Sequence, residues 1–146
     1  MNVELEYSDG KLTVNQPLHC RSVATTGVLG QNGEDDRTPA QDQDTYNFAG
    51  KAGEKVEITL DRDGSRGSAG KIATLRVRTA SGSVLAQRTG SVPLSLELAL
   101  PGPVEVVVRR QPGDGDAFRG YYALEVVAES GDIGDRQLKP SVNVEQ

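Results

Sequence analysis

Apolar and polar residues alternate in short runs along most of the chain, the period of two that marks strands with one buried and one solvated face. Val3, Leu5 and Tyr7 alternate with Asn2, Glu4 and Glu6; Ser8-Asp9-Gly10-Lys11 supplies turn chemistry, and Leu12 to Val14 returns as a hairpin. Gly27 to Gln43 is polar, charged and without period, and reads as a loop. From Asp44 the alternation resumes: Tyr46 and Phe48 lead into a glycine turn at Gly50 to Gly53, and Val56, Ile58 and Leu60 share a face opposite Glu57 and Thr59. After a second long loop, Asp61 to Gly70, Leu75 and Val77 fall between Thr74, Arg76 and Arg78, a strand with a solvated cationic face. Val84 to Gln87 is a short strand, and Leu94, Leu96, Leu98 and Leu100 give the clearest alternation of the chain. Pro101-Gly102-Pro103 ends it. Val104 to Val108, apolar on both faces at Val107, reads as a central strand, and Tyr122, Leu124 and Val126 form the last one after the turn-rich Gln111 to Asp116.

Eight or nine short strands separated by turns predict an all-β, antiparallel β-sandwich. Its expected core is Val56, Ile58, Leu60, Leu75, Val77, Leu94, Leu96, Leu98, Val104, Val106, Leu124 and Val126. The 146 residues suffice for one domain with a real core, and 17 Gly and 7 Pro suit strands and turns better than helices. Residues 1–128 are assigned to that domain. Residues 129–146, with Ile133, Leu138, Val142 and Val144 as their main apolar content, read as a polar tail or linker.

A net charge of −5 and a pI near 4.9 argue against nucleic acid and anionic membrane surfaces, both of which recruit clusters of Lys and Arg. Cations or neutral polymers are the expected partners. No apolar run reaches the 18 or so residues that cross a bilayer. Residues 1–14 carry neither the basic nor the apolar region of a signal peptide. Cys20 is the single cysteine, which removes an intrachain disulfide and a multi-cysteine metal site.

The densest chemistry is acidic. Glu34, Asp35, Asp36, Asp42 and Asp44 face only Arg37 as local counter-charge. Calcium takes six to eight hard oxygens in flexible geometry, and Glu34, Asp36, Asp42 and Asp44 are the expected ligands, the alternative being a solvated acidic loop. Asp61-Arg62-Asp63-Gly64 is spaced like the start of an EF-hand, but Arg66 stands where that loop needs Gly and Ile72 where it needs Glu. His19 and Cys20 are sequence neighbours in an extended segment, so they point apart and cannot act as a nucleophile–base pair. No hydrolase, zinc-protease or phosphate-loop motif is present, and enzymatic activity is not expected. Tyr121 and Tyr122 should face opposite sides of their strand. An exposed Tyr121 offers a ligand anchor or, more plainly, a cap on a cross-strand pair.

The order Asp42-x-Asp44-x-Tyr46-x-Phe48, glycine turn, Val56-x-Ile58-x-Leu60, then Leu75-Arg76-Val77, Gly82-Ser83-Val84-Leu85-Ala86 and Gly120-x-Tyr122-x-Leu124-x-Val126 resembles the bacterial pre-peptidase C-terminal domains. These are β-sandwich modules appended to secreted proteases and other exported proteins. The likeness spans roughly residues 30–128; it departs at Val104, where the family places a tyrosine after Gly102-Pro103. The resemblance implies a jelly-roll-like sandwich and a secreted or periplasmic, non-catalytic accessory module. Such a module would bind calcium and an extracellular polymer or a neighbouring domain. Two alternatives stay open: a structural or chaperone-like partner for an adjoining catalytic domain, and a small carboxylate-dependent hydrolase.

Overall fold

The computed structural model describes residues 5–8, 11–14, 21–29, 43–64, 72–110, 118 and 120–141. Among the described residues eleven strands occur in chain order: β1 (Leu5–Ser8), β2 (Lys11–Val14), β3 (Ser22–Leu29), β4 (Gln43–Phe48), β5 (Glu54–Arg62), β6 (Ile72–Thr79), β7 (Val84–Ser91), β8 (Leu94–Leu100), β9 (Val104–Arg110), β10 (Gly120–Ala128) and β11 (Lys139–Pro140). The first two pair as the expected hairpin, Leu5 opposite Val14. The rest form two antiparallel sheets, ordered β3-β10-β5-β8 and β11-β4-β9-β6-β7.

From β3 to β10 the pairs nest: β3 with β10, β4 with β9, β5 with β8, β6 with β7, alternating between the two sheets. That is the winding of a jelly roll. β7 and β8 are edge strands of the two sheets and are joined through Val92 and Pro93, whose peptide bond is cis, and the passage of the chain from one sheet to the other closes this side of the sandwich.

The core lies between the sheets and follows the period of two. Val56, Ile58 and Leu60 on β5 are at most 4 % exposed, and they meet Leu124 and Val126 on β10 and Leu75, Val77, Val104, Val106 and Val108 from the other sheet in one cluster. β9 is the middle strand of five, and Val107 on its outer face is also fully buried, flanked by Thr45 of β4 and Arg76 of β6. An apolar residue at both faces is what a central strand tolerates.

Three expectations need correction. Gly27 to Leu29 is the end of β3 and not loop. Leu96 and Leu98 are only half-buried, because β8 is the edge of its sheet; of the four alternating leucines only Leu94 and Leu100 are fully enclosed.

The third concerns residues 129–141, which are not a linker. Ile133 and Leu138 are 2 % and 5 % exposed, and β11 extends the second sheet beside β4. Arg136 fastens this segment: it clamps Glu54 with both terminal nitrogens at 2.7 and 2.6 Å. It also donates to the carbonyls of Ile133 at 2.9 Å, Ala49 at 2.9 Å and Asp132 at 3.2 Å. Its guanidinium lies 5.0 Å from the centre of the Phe48 ring. Arg136 holds the Glu54 carboxyl below its ordinary value of 4.5.

Candidate functional site

β4 and β10 lie in different sheets, and both turn a polar group inward at the same level. Asp44, Tyr46 and Phe48 alternate on the inner face of β4, and Tyr122 stands on the inner face of β10. Tyr122 donates its hydroxyl proton to Asp44 Oδ2 at 2.5 Å. Its oxygen then accepts from the Tyr46 hydroxyl at 2.6 Å, the only direction left once each phenol has one proton to give. The chain of bonds Tyr46 to Tyr122 to Asp44 joins the two layers across the core.

The pin fits because β3 gives way to it. Gly27 lies opposite Tyr122 in the β3–β10 ladder, and a Cβ added there would fall 2.3 Å from the Tyr122 hydroxyl and 2.8 Å from that of Tyr46. Any side chain at this position would push out the two rings. Beside it, a recess of about 360 Å³ opens between β3 and β4, lined by Gly27, Val28, Asp44, Thr45, Pro140 and Ser141 among others.

Burial, with the Asp44 carboxylate next to it, pushes the Tyr122 phenol far above its ordinary value of 10. Burial also raises that of Tyr46. Both phenols therefore stay protonated at neutral pH, as donors rather than bases. Because folding raises both values, the stability they contribute is complete below pH 10 and is lost as pH rises through the folded values. Each would give a slope of about 1.4 kcal/mol per pH unit. Stability measured by urea unfolding should hold level to about pH 10 and then fall; in Tyr122→Phe the fall should be shallower.

At neutral pH, Tyr122→Phe should cost about 1–3 kcal/mol in the same measurement, since it removes the hydrogen bond that the buried Tyr46 hydroxyl and the Asp44 carboxylate each make to Tyr122. A variant as stable as the parent would show the hydroxyl to be idle.

Of the expected calcium ligands, Asp44 is at the start of β4, half-buried, with Oδ2 occupied by Tyr122. Glu34, Asp36 and Asp42 lie outside the described residues, as do His19 and Cys20. Among the described residues no three His, Cys, Asp or Glu side chains converge on one point. Tyr121 faces away from the core on the first sheet, half-buried opposite Val28, while its carbonyl accepts from the Asp63 amide at 3.0 Å. The role of Gly27 had no signal in the alternation, because glycine reads as loop until its cross-strand partner is known. Tyr46 and Tyr122 were legible as strand residues, but their meeting depends on which strands face each other.

No protein-family model matches the chain, and no curated protein matches it. The likeness to pre-peptidase C-terminal domains therefore rests on the order of its motifs.

Proposed function

We propose that the chain is a non-catalytic accessory module of an exported protein, which binds an extracellular polymer or a neighbouring domain through its outer surfaces. The observation that supports this reading is the meeting of the two most distinctive motifs. Asp44-x-Tyr46-x-Phe48 and Gly120-x-Tyr122-x-Leu124 join in a hydrogen-bond chain between the layers, where their polar groups hold the two sheets together. Residues that would otherwise suggest acid–base chemistry are thereby given a structural task. Incubation with peptide, ester and glycoside substrates should give no turnover. Reproducible turnover abolished by a single carboxylate substitution would overturn the reading.

The same reading places calcium in the acidic loop, with Glu34, Asp36, Asp42 and Asp44 as ligands. A cation bound only by the folded chain stabilises it by about 2.7 kcal/mol at a hundredfold excess over Kd. The thermal midpoint should rise with calcium and hardly move with magnesium, which demands a tighter octahedral shell. Asp42→Asn is the informative variant. Asp44→Asn would lower stability through Tyr122 whether or not calcium binds. An unchanged midpoint in millimolar calcium would leave the loop merely solvated.

A further inference from the structure

The outer faces of the two sheets carry opposite charge. On the five-stranded sheet, Arg76 and Arg78 stand two apart on β6. Arg109 of β9 is diagonal to Arg76 across the β6–β9 ladder, and Lys139 of β11 continues the row Asn47–Glu105–Arg78. Among the described residues, the strand positions of that face carry one carboxylate, Glu105, which takes Arg78 at 2.7 Å, and Asp135 lines a recess with Glu105 and Lys139 at the edge of the face. Among the described residues, Arg76 donates to Gln87, a neutral group, and the buried Nε of Arg109 has no hydrogen-bond partner.

The four-stranded sheet shows the reverse. Glu97 of β8 lies directly opposite Glu57 of β5, Glu125 of β10 is diagonal to Glu57, and Asp61 is diagonal to Glu125. These four carboxylates are exposed and zigzag across three strands, with Lys55 as the counter-charge on that face. Neighbours are about 5–8 Å apart in the acidic array and among Arg76, Arg78 and Arg109, set by the pleat and the ladder, while Lys139 stands three strands from Arg78, about 14 Å away. Like charges set opposite one another, as Glu57 and Glu97 are, repel until a cation is supplied.

We propose that these faces dock on each other between copies of this chain, the cationic face of one against the acidic face of the next. The net charge of −5 favours cationic or neutral partners, but it averages over the molecule. The sheets of a sandwich pack about 10 Å apart, and the Debye length at physiological ionic strength is about 8 Å. Each face is thus screened from the other and presents its own sign to a neighbour. A second copy matches both arrays at once in charge, and Arg78, Arg76 and Arg109 match the acidic zigzag in spacing. The contact joins different surfaces, so it repeats head to tail and does not close as a two-fold dimer.

Sedimentation velocity of the whole chain tests this. In about 0.01 M salt, where the Debye length is about 30 Å, the weight-average sedimentation coefficient should rise with concentration; in about 1 M salt, where it is about 3 Å, the chain should sediment as a monomer. A variant with Arg76→Glu and Arg109→Glu has two acidic faces, and one with Glu97→Lys and Glu125→Lys has two basic ones. Each alone should remain monomeric in low salt, and mixing them in equal amounts should restore association. Should Arg109→Glu impair folding, Arg76→Glu with Lys139→Glu serves in its place. A monomer at every concentration in low salt overturns the proposal, as does association of either variant at the parent's strength or failure of two well-folded variants to associate on mixing. Binding of a sulfated polysaccharide at the arginines without self-association would give the cationic face a different occupant and also overturn it.

Discussion

Replacing Leu124 by Ala is expected to lower the unfolding free energy by about 3–5 kcal/mol, the upper part of the range for a buried leucine. Leu124 is fully buried between Thr25 of β3 and Leu60 of β5 on an interior strand of its sheet, within the core cluster. Strands on both flanks and a sheet above leave the surroundings little freedom to collapse into the space. Leu96→Ala is the comparison. Leu96 belongs to the most regular alternation in the sequence, yet it is half-buried on the edge strand and should cost only about 1–2 kcal/mol. Urea unfolding of both variants measures the difference. Equal losses would mean that β8 is as enclosed as β10, against the strand order described.

The second large effect is expected at Glu54. Glu54→Gln removes the charge that faces Arg136, whose side chain is 13 % exposed against 8 % for Glu54, and leaves a cation in a poorly solvated place. Breaking one side of such a pair costs about 3 kcal/mol, the low end of the buried range because the rim is still wet. The loss should loosen residues 129–141 first, since Arg136 is what joins that segment to the turn before β5. Amide hydrogen exchange should accelerate at Ser141, whose amide donates to Thr45 at 2.8 Å, more than at Val126. The pair also carries a pH dependence. The Glu54 carboxyl is lowered by folding, so its contribution is complete above its ordinary value of 4.5 and is lost as pH falls through the depressed folded value. The Gln variant should lack that acid loss. A variant with parental stability and unchanged exchange near the C-terminal strand would remove Arg136 from the account.

What the sequence made legible was set by periodicity. The inward residues of β5, β6, β9 and β10 follow from the alternation alone, because a strand with one wet face must place its apolar residues two apart. Val107 even marked β9 as central. The same rule overrated Leu96 and Leu98, since alternation tells which face is apolar and not whether a strand has neighbours on both sides. It missed most of β3, where Gly27 and the flanking threonines break the apolar pattern. The C-terminal segment was misread for a related reason: its anchors, Ile133, Arg136 and Leu138, follow no period, and their hold comes from partners 80 or so residues away, as the Arg136–Glu54 separation of 82 shows. Asp44 was legible as a residue of interest for its carboxylate, but its partner Tyr122 is 78 residues distant. Only the jelly-roll winding brings them together.

Asp44 and Tyr122 form a structural pin between the sheets. A double-mutant cycle of Asp44→Ala and Tyr122→Phe, followed by urea unfolding at neutral pH, tests it most directly. A coupling of about 1.5–3 kcal/mol is expected, the strength of a hydrogen bond to a charged group, with the double variant hardly less stable than the worse single one. Losses that simply add, with coupling within about 0.5 kcal/mol of zero, would contradict it.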